Sequence, residues 1–63
     1  MSASLLNTYS LTTSILGFGR VSSLALRKEA GLSWGQIHAL TNAGLIRYQD
    51  APGGAPVYLL MFP

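Results

Sequence analysis

The sequence contains no cysteine, so disulfide bridges and cysteine-ligated metal ions are excluded as sources of stability. Its 63 residues leave room for one domain. A domain of this size buries only about 60% of the surface that its unfolded chain exposes. One histidine and two acidic residues are too few for the four ligands of a structural zinc site. Stability must therefore come from apolar packing, to which 49% of the residues can contribute.

Charged side chains are also scarce, and the net charge is +2. The cations are Arg20, Arg27, Lys28 and Arg47, and the acids are Glu29 and Asp50. The acids and the histidine form no recognisable nucleophile–base pair, so we expect neither enzymatic activity nor a cofactor. Affinity for nucleic acid rises with the number of phosphates neutralised, and four cations are a small supply. A nucleic-acid complex would therefore need a homodimer, cooperative binding or a protein partner.

Residues 1–19 carry no charge, yet they contain many serine, threonine and asparagine side chains. This is too polar for a membrane span of about 20 apolar residues. No basic stretch precedes an apolar run, so the segment does not have the pattern of a signal peptide. We therefore expect a cytoplasmic protein that makes no contact with a membrane.

The first segment, residues 2–16, fits two kinds of secondary structure. A helical stripe would contain Leu5, Tyr9 and Leu16. One face of a strand would instead contain Tyr9, Leu11, Thr13 and Ile15. The serine and threonine content argues against a strong helix. We favour a helix because the rest of the chain forms a more coherent fold with one.

Residues 22–43 predict two helices that meet at a tight corner. Ser22 or Ser23 can cap the first helix, which would run to about residue 30 with Leu24, Leu26 and Ala30 towards the core. Gly31 can adopt the left-handed conformation of the corner, and Leu32 would fill it. Ser33 would cap the second helix, residues 33–43. Its apolar side would contain Ile37, Leu40 and Ala43, and its outward side Gly35, His38 and Asn42.

From residue 45 the period changes from 3.6 to 2, which predicts a hairpin with strands at 45–48 and 57–62. Glycine and proline mark the turn between them. Tyr48 and Tyr58 are expected to face each other across the strands. The whole pattern predicts a mostly α-helical domain with a small β-hairpin, a winged helix-turn-helix. Its parts would be an N-terminal helix within 1–19, a helix-turn-helix at 22–43 and a wing at 45–62.

A series of residues around this corner resembles the DNA-binding headpiece of the MerR family and the related small phage excisionases. The series is Gly31, Leu32, Ser33, Ile37, Gly44, Leu45 and Ile46, and the resemblance covers about residues 22–58. It implies that the second helix enters the major groove with the wing beside it. The chain departs from the family at His38, where a basic residue is usual, and around Tyr58, where the arginine of the wing is missing.

The resemblance also implies which side chains touch DNA. The groove-facing residues would be Trp34, Gly35, Gln36, His38 and Asn42, and the phosphate contacts would be Arg27, Lys28 and Arg47. The amides of Gln36 and Asn42 are of the kind that reads adenine. Trp34 has an alternative place, packed on the core or over its edge.

Two hypotheses of function follow. The first is a small protein that recognises double-stranded DNA, a transcriptional regulator or an excisionase-like architectural factor of a phage or mobile element. The second is a protein-interaction module, or a structural subunit of a phage-type assembly. The second would use two apolar surfaces. One is the uncharged first segment, and the other is residues 57–62, which would form an exposed apolar edge strand.

Overall fold

The computed structural model describes residues 2–50, 53–54 and 56–61. The elements within these residues are α1 (Ser2–Leu16), β1 (Gly19–Ser22), α2 (Ser23–Lys28), α3 (Trp34–Asn42), β2 (Ile46–Gln49) and β3 (Val57–Leu60). The strands form one antiparallel sheet in the order β1–β3–β2. The described chain is thus a small domain of three helices and a three-stranded sheet, with one strand more than the expected hairpin.

The helix predicted for the first segment is confirmed as α1. Its threonine hydroxyls are compatible with a helix because they bond back to helix carbonyls. Thr12 Oγ1 donates to the carbonyl of Thr8 at 2.7 Å, and Thr13 Oγ1 donates to that of Ser10 at 3.1 Å. Gly17, at φ 80°, ends the helix in the left-handed region, where its amide donates to the Thr13 carbonyl at 2.8 Å.

The corner between α2 and α3 forms as the sequence predicts, although α2 is shorter than expected. Ser22 Oγ accepts the amide of Ala25 at 3.1 Å and caps α2. The helix ends at Lys28 because the chain turns through Gly31 at φ 70°. The amide of Leu32 then donates to the Leu26 carbonyl at 3.0 Å. This closing bond directs the buried Leu32 side chain into the core.

The central position of β3 in the sheet corrects one expectation. Residues 57–62 were expected to offer an exposed edge strand, but β3 is hydrogen-bonded to β1 on one side and to β2 on the other. The extra partner is the extended piece at Arg20 and Val21, which pairs with Leu59 and Tyr58. Strand β3 ends at Leu60, Met61 is half-buried, and Phe62 lies outside the described residues. No backbone edge of β3 is therefore left for strand pairing.

The core lies between the helices and one face of the sheet. Its buried apolar residues are Tyr9, Leu26, Leu32, Ile37, Leu40, Ile46, Tyr58 and Leu60. The Tyr9 hydroxyl donates to the Met61 carbonyl and so joins α1 to the end of β3. Two residues expected on the core side are instead exposed. Leu24 lies on the outer side of the short α2, and Ala43 is the C-cap of α3.

Two leucines on α2 allow a matched test of the core. Leu26 is fully buried, whereas Leu24 is 61% exposed. We expect Leu26→Ala to lower the free energy of unfolding by about 2–5 kcal/mol, because it removes buried methyl groups and leaves a cavity. Leu24→Ala is expected to change it by less than about 0.5 kcal/mol. Urea denaturation followed by circular dichroism measures both, and equal losses would contradict this packing.

The buried phenol of Tyr9 predicts a loss of stability in alkali. Burial raises the pKa of Tyr9 above its ordinary value of 10.0, so the unfolded chain ionises first. The contribution of Tyr9 is complete below the unfolded pKa and is lost as pH rises through the folded pKa. The free energy of unfolding should therefore begin to fall as the pH approaches 10.0 and continue to fall until the pH has passed the raised folded pKa, and it should fall less in Tyr9→Phe. Identical alkaline losses in both proteins, measured by urea denaturation, would be evidence against this.

Candidate nucleic-acid interface

The start of α3 is held by a pair of reciprocal hydrogen bonds. Ser33 Oγ accepts the amide of Gln36 at 3.1 Å, and Gln36 Oε1 accepts the amide of Ser33 at 2.8 Å. This capping box fixes where the helix begins and how it leaves the corner. It also gives Gln36 a structural role that the prediction of base contacts overlooked. A serine followed three residues later by glutamine is the signal that could have identified it.

The outward face of α3 carries few side chains, and two of them are free to bind. Gly35, His38 and Asn42 are exposed on this face. The side chains of His38 and Asn42 form no hydrogen bond with another described residue. Thr41, at the border of the face, donates its hydroxyl to the Ile37 carbonyl at 2.8 Å. On this outward face, the imidazole of His38 and the amide of Asn42 are therefore available to bind another molecule.

A shallow groove separates this face from the sheet. It has a volume of about 280 Å³ and is lined by His38, Thr41, Asn42, Tyr48 and Tyr58. The expected tyrosine pair is confirmed, since the ring centroids lie 5.4 Å apart with an edge-on angle of 69°. The Tyr48 hydroxyl donates to Asp50 Oδ1 at 2.9 Å, and this bond to a carboxylate raises the pKa of Tyr48. Sequence reasoning did not place either tyrosine at this site.

Trp34 and Arg27 meet where α2 and α3 approach each other. Trp34 is 49% exposed, so it is not buried in the core, which was one of the two packed places considered for it. The reason is its position as the first residue of α3, beside the end of α2 rather than over the sheet. The guanidinium carbon of Arg27 lies 5.1 Å from the Trp34 ring centroid, a cation–π contact. Ser23, Leu24 and Lys28 complete the cleft, which measures about 270 Å³.

Arg47 lies on the other side of the sheet from this site. Side chains alternate along a strand, and in β2 the buried Ile46 shows which face meets the core. Tyr48 shares that face, whereas Arg47 points away from the helices. The structure thus brings Arg27, Lys28 and Trp34 together at the corner and leaves His38 and Asn42 on α3. Arg47 lies close to neither of these two groups.

Comparison with known proteins gives no relative from which the fold or the site could be interpreted. No protein-family model, curated protein or solved structure matches the sequence or the structure. The resemblance to MerR headpieces and excisionases therefore stays a prediction. Within the described ranges, no helix is long and apolar enough to cross a membrane. The same residues contain no group of three histidine or acidic side chains arranged to hold a metal ion.

The capping box predicts coupled losses of stability. Ser33→Ala should lower the free energy of unfolding by about 1 kcal/mol, because an amide at the start of α3 loses its acceptor. Gln36→Ala should also destabilise the protein, and the double variant should lose less than the sum of the two. Urea denaturation of the three variants measures this coupling. If Gln36→Ala left the stability unchanged, Gln36 would have no capping role.

Proposed function

We propose that this chain is a small DNA-binding protein with a winged helix-turn-helix fold, in which α3 enters the major groove. The observation that carries the proposal is the exposed outward face of α3, whose His38 and Asn42 side chains have no partner among the described residues, on a helix whose first residue, Trp34, lines the corner cleft with Arg27 and Lys28. The order of the elements supports it: α2, a tight turn and α3 are followed by the β2–β3 hairpin, and β1 completes the sheet.

The side chains on α3 suit base edges. The amide of Asn42 offers one donor and one acceptor in the pattern that adenine presents in the major groove. The imidazole of His38 can donate to a guanine edge or to a phosphate. Gly35 adds no side chain, so the helix backbone can approach closely at its N-terminal end. Seven helical steps separate Gly35 from Asn42, about 10 Å or three base pairs, so one copy reads a short site.

Arg27 and Lys28 would make the contacts to the phosphate backbone of the DNA. The stacking of Arg27 on Trp34 limits the positions of its guanidinium and leaves N–H groups available for phosphate oxygens. If one copy neutralises two phosphates, its affinity for DNA should fall about tenfold between 50 and 200 mM salt. A dimer doubles the number of phosphates. We infer that two copies, or one copy with a protein partner, are needed for stable binding.

A protein-interaction module is the second candidate function, and one observation favours it. Apolar side chains are exposed on the uncharged α1, where Leu6 is 56%, Leu11 66% and Ile15 55% exposed. Leu11 and Ile15 are four positions apart and so lie side by side on one face of the helix, and neighbouring exposed apolar side chains are typical of contact with another protein. This candidate would use α1 as its contact surface, because β3 is not an edge strand.

Two double variants that remove the same charge test the DNA-binding proposal. Arg27→Ala/Lys28→Ala removes two cations at the corner, and Arg20→Ala/Arg47→Ala removes two from the far face of the sheet. In fluorescence anisotropy with a random duplex, the corner variant should lose affinity, and its log–log salt slope should fall by about 2. The control should keep the native slope because its arginines do not meet phosphate.

Two results would contradict the proposal. The first is equal loss of affinity in both double variants, which would indicate attraction by net charge alone. The second is the absence of salt-sensitive binding to duplex DNA at low ionic strength and high protein concentration. A native-like circular dichroism spectrum for each variant ensures that the comparison concerns folded protein.

A further inference from the structure

The sheet has a second, separate pair of cations on its face away from the helices. The register pairs both Arg20 and Arg47 with Leu59. Residues directly opposite each other in antiparallel strands project from the same face, so the two arginines flank Leu59. We call this the outer sheet face, formed by Arg20, Ser22, Arg47, Gln49, Val57 and Leu59. Strands lie about 4.8 Å apart, so the arginine backbones are separated by about 10 Å.

The outer sheet face is positive and holds no acid among the described residues. Both arginines are exposed, and neither forms an ion pair within that part of the chain. Asp50 is bonded to the hydroxyl of Tyr48, which belongs to the opposite face. Glu29 follows α2 and is not part of the sheet. Leu59 and Val57 lie between and beside the arginines and are only half-buried.

We propose that the outer sheet face docks an acidic amphipathic helix of a partner protein. Two carboxylates of the docked helix would pair with Arg20 and Arg47. An apolar side chain of the same helix, placed between the two carboxylates, would cover Leu59. Arginine binds carboxylates through two parallel hydrogen bonds, which defines where each acid must lie. The charges of this face and the helix are complementary, and the partner covers apolar surface at the same time.

The spacing favours a helix that lies across the three strands. Residues seven positions apart on a helix share one face and are separated by about 10.5 Å along the axis. This matches the separation of about 10 Å between the two arginine positions on the sheet. A residue four positions after the first acid lies between the two acids on that face, where it meets Leu59.

Other occupants fit the face less well. A second copy of this chain would place arginine against arginine, because the face has no acid to pair with them. A nucleic-acid backbone would meet the arginines but leave Leu59 and Val57 against charged phosphates. The inference is independent of the DNA-binding proposal, because it rests on Arg20 and Arg47, whereas the proposed DNA contacts use Arg27 and Lys28.

A labelled synthetic helix tests the inference. The probe is an alanine-rich peptide with two glutamates seven positions apart and a leucine four positions after the first. We expect salt-sensitive binding in fluorescence anisotropy that weakens at least about tenfold with Arg20→Glu/Arg47→Glu. Arg27→Glu/Lys28→Glu, with the same change in charge at the corner, should bind the probe like the native protein. Replacing both glutamates by glutamine should abolish binding.

A charge-swapped probe makes the result specific. A peptide with lysines in place of the glutamates should bind Arg20→Glu/Arg47→Glu and not the native protein. Binding restored in this way requires direct pairing at these two positions. No binding of the glutamate peptide at millimolar concentration would overturn the inference, as would equal losses in the two charge-reversal variants. Duplex DNA binding that Arg20→Glu/Arg47→Glu weakens and Arg27→Glu/Lys28→Glu does not would assign the face to nucleic acid and overturn it too.

Discussion

The pairing of β3 with strands on both sides determines how the rest of the molecule is arranged. It joins the chain that follows α1 to the chain that follows α3, and the Tyr9 hydroxyl reinforces this closure at Met61. Because side chains alternate along β3, Tyr58 and Leu60 enter the core while Leu59 remains outside. The same alternation sends Tyr48 towards α3 and Arg47 away from it.

This arrangement divides a very small supply of charge between two surfaces. One pair of cations, Arg27 and Lys28, stands at the corner beside Trp34. The other pair flanks Leu59 on the outer sheet face. Each pair is thus combined with a large apolar side chain, so binding at either surface joins charge pairing with apolar contact. A chain with a net charge of +2 can in this way present two distinct basic sites.

Local signals were sufficient to predict the helical corner, the cap at Ser33, the turn at Gly31 and the tyrosine pair, since each depends on neighbouring residues or on a simple period. The central place of β3 was not predictable in this way, because strand order depends on pairing between distant segments. Leu24 was misplaced because a helix of six residues has room for little more than one buried leucine. The side of the sheet from which Arg47 projects could be predicted, because its side chain must alternate with those of Ile46 and Tyr48.

We propose that α3 and the corner form the surface that meets DNA. The most direct test is to titrate isotopically labelled protein with a short duplex at low salt and to follow the backbone amide resonances. We expect the largest shifts at Gly35, His38 and Asn42 and at Arg27 and Lys28, and we expect added salt to reverse them. Unchanged resonances at high duplex concentration, or the largest shifts on the outer sheet face, would contradict it.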